Sequence, residues 1–456
     1  MANIRHWRHA VKAELLGGKL AGQILSPHRI EACCQRAGHL WRRSFWSPSR
    51  TILTFLLQVL VPVKTLRAAV SELLTQLAAS GMRRLPSADP AAYCQARRRL
   101  PVSVVKDLVS RTARCLTDLV GADAGWRGRR VWIVDASCCS TPDVPQLQRA
   151  FPQSPNQKSG CGFPLVRYVG LFCWRTGALV ALKVGNMITS ELLLYRQLWH
   201  HLKRGDVVIG DRLYGSYVDL ARLRRRGVDG IYRLHKGRKA TSKGKRLGPG
   251  DRLVVWRRPP RWLPSMGISR KAFDQLPKQM TLRQIRVTSA PRGFRSRKIV
   301  VVTTLLDPIE APADEIRQLY RDRWMIELNF RNIKTALGMD VLRGKSVDVI
   351  HKELFMHLVV YNLIRLLMWQ AAKRHGVDLH RLSFAGTLHR LEAAASMLLL
   401  LDQLKGGRTL YDWLLAWIAA DEVPLRPNRR EPRCVKRRPK DYPWLTMPRH
   451  AVYHQS

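Results

Sequence analysis

Two short apolar runs, each closing on an aspartate, constrain this chain more than any other feature. Val131-Trp-Ile-Val leads into Asp135, and Val207-Val-Ile-Gly leads into Asp211. β-Branched runs of this length read as buried strands. A carboxylate at the end of such a strand is held rigidly at the sheet edge, where a site is more precise than on a loop. Between the runs the sequence predicts a hairpin over Leu165–Trp174 and Ala178–Val184, turning at Arg175-Thr-Gly177. A helix capped by Ser190 follows, with Leu194, Leu198 and Leu202 inward. After Asp211 come a helix to Arg226 and a strand over Val228–Leu234. Alternating strands and helices predict an α/β sheet with flanking helices. Asp206 opens the second run, at the end away from Asp211, and falls outside the site. Asp143 follows Thr141-Pro142 and reads as a cap or turn residue.

A third acid lies on a predicted helix, Tyr320 to Lys334. Leu319, Trp324, Ile326, Phe330, Ile333 and Leu337 mark its buried side. Tyr320, Arg323, Glu327 and Lys334 follow at spacings of 3, 4 and 7, which draws them into one continuous stripe. A carboxylate is a hard oxygen ligand for Mg²⁺, and Arg and Lys engage phosphate oxygens. On spacing alone, an exposed face laced with ion pairs is equally open.

Charge narrows the partners. Lys and Arg total 79 against 33 acidic residues, a formal net charge of +46. Such a surplus repels itself unless a polyanion neutralises it, so nucleic acid is the natural partner. Arg97, Arg98 and Arg99 end a basic helical turn before Pro101 and are candidate phosphate contacts; a solvated helix face is the other reading. The tail Arg426–Lys440 is basic and Pro-bearing, unable to form a core. No run of 18 uncharged apolar residues and no signal-peptide start occur, so a cytoplasmic protein without membrane spans is expected. The nine cysteines lack Cys-x-x-Cys spacing and read as reduced thiols. No Gly-x4-Gly-Lys-Ser/Thr loop points to ATP.

The rest of the chain divides by pattern. Residues 1–125 read as a helical, basic domain, with a helix from about Arg50 capped by Ser47 or Ser49 and a second over Val63–Leu77. Residues 126–345 hold the three acids, with a β-rich insertion at 235–297 whose strands are Arg252–Trp256 and Leu282–Thr288. Lys298–Thr304 returns to the core sheet. Residues 346–425 are helical, led by an apolar helix over Val347–Lys373 in which His357 and Asn362 read as satisfied core polars. Residues 426–456 form the tail.

Tyr320-x2-Arg323-x3-Glu327-x6-Lys334 resembles the Tyr-Arg-Glu-Lys signature of one branch of bacterial insertion-sequence transposases of the DDE type. Gly210-Asp211-Arg212-x-Tyr214-x-Ser216-Tyr217 resembles that family's second-aspartate motif, and Asp135 onward resembles its first, departing at Ala136 and Ser137 where Gly and Thr are usual. Gln95-Ala-Arg-x-Arg-Leu100 looks like its N-terminal DNA-binding domain. The resemblance implies an RNase H-like mixed sheet flanked by helices. It implies catalytic, metal-binding roles for Asp135, Asp211 and Glu327 with two Mg²⁺ ions, Mn²⁺ substituting. DNA contacts fall to Tyr320, Arg323, Lys334, Arg212 and Arg97 to Arg99. It further implies cut-and-paste transposition in the bacterial cytoplasm at the nucleoid: binding of double-stranded terminal inverted repeats, cleavage, a DNA hairpin step and transfer into target DNA by a homodimer. Some members carry a base-stacking Trp beside the strand that ends in Thr-Thr. Here Lys298, Ile299 and Val300 offer no ring, leaving Phe294 or Trp256. Two other readings compete: an RNase H-like nuclease without strand transfer, and an inactive DNA-binding descendant.

Overall fold

The computed structural model describes residues 24–42, 44–79, 81–120, 125–289, 297–401, 407–424, 445–448 and 451. The N-terminal stretch before Ile24, Phe294 and nearly all of the basic tail lie outside the described residues. The chain begins helical: α1 Pro27–Arg36, α2 Pro48–Leu60, α3 Leu66–Ala79, α4 Ala91–Arg99 and α5 Val102–Val120. Ser47, not Ser49, caps α2, its hydroxyl accepting from the Arg50 amide at 3.3 Å. This satisfies one of the free N–H groups at the helix start.

The sheet follows, with β1 Val131–Ser140, α6 Pro145–Ala150, β2 Leu165–Cys173, β3 Leu179–Asn186, α7 Glu191–Arg196, β4 Val207–Gly210, α8 Tyr217–Arg225 and β5 Asp229–Arg233. Then come β6 Arg246–Gly248, β7 Asp251–Arg257, α9 Arg270–Asp274, β8 Gln279–Ser289 and β9 Arg297–Thr303. All nine strands form one sheet in the order β3-β2-β1-β4-β5-β9-β8-β7-β6. β1, β2 and β3 are antiparallel neighbours, and β4 and β5 run parallel to β1. This 3-2-1-4-5 order is that of an RNase H-like sheet. The expected insertion is β-rich, but it is no separate module: β8 pairs with all of β9 through its residues Arg283 to Ser289, so the insertion continues the core sheet outward.

Strand alternation sorts the sheet's faces. Trp132, Val134, Val208, Tyr232 and Val302 point to one face, packed with Leu194, Tyr195 and Leu220 from α7 and α8. Val131, Val207, Ile209, Ile231 and Val301 point to the other, against Ile316, Leu319 and Tyr320. Those last three come from α10 Ala313–Asp322, which is followed by α11 Trp324–Arg331.

Here the expected single helix over Tyr320–Lys334 is corrected. It breaks at Arg323, whose amide reaches back only three residues, to the Tyr320 carbonyl at 3.3 Å. Beyond α11 the chain opens into a π turn over Asn332–Ala336. A tightened turn followed by a widened one alters the angle per residue, so the four signature residues do not form one regular stripe. Such π turns are frequent at functional sites.

Helices from both ends of the chain share one core. α12 Val347–His375, α13 Phe384–Leu401 and α14 Gly407–Ala420 complete the described helices. α12 packs against α5, α2 and α14, and its Leu354, Leu358, Leu363 and Leu367 are fully buried. Each such side chain contributes about 1.5–3 kcal/mol on leaving water. By length and composition α12 would pass for a membrane span, against the sequence expectation that no such helix exists, but nearly all of its apolar stretch is buried inside this core. Asn362 is a satisfied core polar as expected, pairing with both the amide and the carbonyl of Leu179 at 3.0 Å; His357 is buried too and its Nδ1 lies 2.8 Å from the Glu353 carbonyl, but its Nε2 is buried without a partner among the described residues. The described cysteines are free thiols.

Candidate active site

The parallel ladder between β1 and β4 runs Val131 to Val207, Trp132 to Val208 and Ile133 to Ile209. Two residues further along each strand stand Asp135 and Asp211, on neighbouring strands about 4.8 Å apart. Both continue the alternation of Ile133 and Ile209, so both belong to the face covered by α10 and α11. Contrary to the sequence expectation, Asp135 does not end its strand; β1 runs on to Ser140, paired with β2 along the way. Asp135 ends only the parallel pairing, which is what leaves its carboxylate beside that of Asp211.

Burial dominates at Asp135 and pushes its pKa up to about 6. The Ala136 amide, donating to Oδ1 at 2.9 Å, and Arg323 pull the other way; Glu327 and Asp211 add to the rise. The field of Glu327 at Asp135 brings the third acid to this corner. Asp211 has the Arg212 guanidinium 3.8 Å away, and its carboxylate accepts no hydrogen bond from a described residue. Arg323 Nη2 donates to Glu327 Oε1 at 3.1 Å, and Arg323 Nε is buried without a partner. Burial opposes the Arg323 charge, but Tyr320, Glu327 and Asp135 outweigh it and push its pKa up. Burial likewise pushes the Tyr320 phenol up, with Asp211 adding and Arg323 and Arg233 opposing.

Arg233 went unnoticed in the sequence. The β4–β5 ladder pairs Gly210 with Tyr232, so Arg233 stands level with Asp211 on the next strand and on the same face. Only strand register reveals this, since nothing around Arg233 resembles a motif. Lys334 sits in the π turn, where its charge reaches Cys139 on the extension of β1. Trp324, expected on the buried side, is instead 58% exposed beside Arg323, because the break at Arg323 rotates α11.

Other expectations change as well. Arg97 is turned inward at 7% exposure, donates to Gln58 Oε1 at 3.2 Å and lies over the Phe55 ring. It is a core residue because α4 packs that side against α2, while Arg98 and Arg99 stay exposed. Trp256 is 5% exposed under the Arg238 guanidinium and presents no free ring face for a base. Asp206 lies at the far end of β4, as expected. Asp143 stands just before Val144, the N-cap residue of α6, and accepts from Gln148 at 2.7 Å.

Among the described residues no three His, Cys, Asp or Glu side chains close into a ready metal cage. The donor set nonetheless suits a hard divalent cation: carboxylate oxygens, one of them desolvated. Glu327 would have to leave Arg323 to join it.

A family model described as a transposase DDE domain matches residues 126–363, the span that carries all three acids. Over 434 residues the chain is 28% identical to transposase InsG for insertion sequence element IS4 of Escherichia coli (strain K12), covering 92% of each chain. It is 34% identical over 93 residues to a probable transposase for insertion sequence element IS5377 of Geobacillus stearothermophilus, 20% of this chain and 24% of that one. Among solved structures, the piggyBac transposase in a synaptic complex with hairpin DNA spans 81% of this chain and 85% of its own at 9% identity, with a TM-score of 0.38.

Proposed function

The chain belongs to the transposase DDE-domain family, and on that premise we propose that Asp135, Asp211 and Glu327 are the acids with which this insertion-sequence transposase cuts and joins DNA. The observation that carries the assignment is the β1–β4 register, which sets Asp135 beside Asp211 on the face toward Glu327. Transposases of this family act on DNA and use divalent metal. The metal here is read as Mg²⁺, replaceable by Mn²⁺, two ions held by the three carboxylates. Held by these carboxylates, such ions would supply activation of a water or a 3′-hydroxyl and stabilisation of the leaving oxygen.

The chain's own residues align the DNA. Arg323, released from Glu327, holds a phosphate beside the cut, and Lys334, Arg212 and Arg233 gather its other oxygens. Tyr320 donates a hydrogen bond from its hydroxyl to a phosphate oxygen from a nearly buried position, 5% exposed, which restricts its rotation. Arg98 and Arg99 grip backbone further from the cut, and Arg97 supports the helix that carries them. The full reading is cut-and-paste movement: a homodimer binds the terminal inverted repeats, frees the element and transfers it to target DNA, in the cytoplasm at the nucleoid. The N-terminal helices bind the ends.

The test is incubation with Mg²⁺ and linear DNA bearing the ends that flank the gene, wild type beside Glu327→Gln. Cutting at the repeat boundary followed by joining to a target, both absent in the mutant, is the expected result. Cutting without joining would make the protein a nuclease. Tight salt-sensitive binding without any cutting would make it an inactive descendant.

A further inference from the structure

Arg246 on β6 and Arg252 on β7 stand directly opposite each other in the antiparallel ladder. Like charges directly opposed across a ladder destabilise it. Neither guanidinium has an acidic partner among the described residues, although the nearest acid, Asp251, adjoins Arg252 in sequence. Asp251 faces the other side of the sheet, where fully buried Arg283 holds it with an Nε–Oδ1 distance of 2.8 Å. Arg286 from β8 completes the group, and the three guanidiniums line a pocket of about 200 Å³ with Thr241, Gln284, Gly250 and Val300. Among the described residues no acidic side chain lines it. Gln284 is 4% exposed; its Oε1 accepts from the Thr241 amide at 3.3 Å, and its Nε2 donates to no described residue. An amide donor without a described partner, on a side chain only 4% exposed and beside three arginines without acidic partners, calls for an oxyanion.

We propose that this pocket is a socket for one backbone phosphate of the DNA, gripped by Arg246, Arg252, Arg286 and the Gln284 amide. The strand register locates it. Arg252 pairs with Gln284, Gln284 with Val302, Val302 with Tyr232 and Tyr232 with Gly210. The socket therefore lies in the row that ends beside Asp211, four strand steps away and on the opposite face. Four steps of about 4.8 Å span about 19 Å. At 3.4 Å per nucleotide along one strand, the gripped phosphate lies about five to six nucleotides from the cut. A duplex laid across the strand ends meets both faces there. The distance to the cut rests on the proposed cutting centre; the socket itself does not.

The test scans neutral methylphosphonates, one position at a time, through the first ten or so nucleotides of an end duplex. Binding is measured for the full-length wild type and for the R246A/R252A variant. Wild type should lose affinity when a phosphate about five to six nucleotides from the cut is neutralised, and the variant should be indifferent there. The variant's slope of log affinity against log salt should fall by about 1, the worth of one phosphate contact. Its Tm without DNA should hold or rise, since a repulsion has been removed. Equal sensitivity of both proteins at every position, or an unchanged salt slope, overturns the proposal. So does a fall in Tm large enough to explain the weaker binding. Competition by millimolar inorganic phosphate with an unaltered DNA scan would instead make the pocket a free-phosphate site and overturn the DNA assignment. If wild type binds and scans as expected but never cuts, the cutting centre fails and the socket stands.

Discussion

Strand β4 carries an aspartate at each end, and the two live in opposite surroundings. Asp206, before the strand, is 2% exposed and accepts four hydrogen bonds: two from Arg130 at 2.9 and 2.7 Å, one from Trp132 Nε1 at 2.8 Å and one from the Lys203 amide at 2.8 Å. Asp211, after the strand, has a guanidinium at 3.8 Å and accepts no hydrogen bond from a described residue. One carboxylate is used up in holding the sheet together. The other stands at the end of a central strand, with Asp135 and the Arg323-paired Glu327 nearby and Arg212 and Arg233 around it. A fold stabilises itself by satisfying its charges; a site that must accept metal and phosphate keeps them unsatisfied.

The contrast is broken most severely at the bare end. Asp211→Asn or Glu327→Gln should lower the single-turnover cleavage rate by about 10³-fold or more, as loss of a metal-binding carboxylate does, with circular dichroism and Tm unchanged. The satisfied ion pairs should show the reverse pattern. Asp251→Ala strands the buried Arg283 charge and should cost about 3–5 kcal/mol of stability, read by urea unfolding.

A smaller, pH-dependent effect sharpens the difference further. The Asp135 carboxyl has its folded pKa raised to about 6 from 3.8, so it favours the folded state while protonated. Stability from this group is present below about pH 4 and lost as pH rises through 6. Asp135→Asn should therefore stabilise the metal-free protein at pH 7, by on the order of 2 kcal/mol, and the gain should vanish near pH 4. Cleavage should be absent in the variant at every pH. The smallest effect belongs to the outer helix α4. Arg98→Ala with Arg99→Ala should reduce the salt slope of DNA binding by about 1 to 2 without moving Tm. Arg97→Ala should lower Tm instead, since Gln58 loses a donor and Phe55 its cover.

The acids were legible because their signals are local: apolar runs closing on Asp135 and Asp211, and a fixed spacing around Glu327. The order of strands and helices made the sheet legible in the same way. Arg233 was not, because its place depends on which residue of β4 stands opposite Tyr232. Trp324 is placed on the wrong side by helical periodicity, which assigns faces only on a regular helix, and Arg97 is grouped with Arg98 and Arg99 by charge, which says nothing of which side faces inward. α4 turns the Arg97 side inward, and the break at Arg323 and the π turn beyond it disturb the helix that carries Trp324. The insertion's merger with the main sheet was hidden too, since pairing between β8 and β9 joins segments whose sequences describe only strands.

The most direct test compares the two ends of β4 in one experiment. Asp206→Asn and Asp211→Asn are assayed for Mg²⁺-dependent cleavage of end DNA, each at a temperature well below its own Tm. The account predicts that the Asp206 variant, with a lower Tm, cuts at close to the wild-type rate, while the Asp211 variant folds normally and does not cut. Cleavage surviving in the Asp211 variant, or lost in a fully folded Asp206 variant, would contradict it.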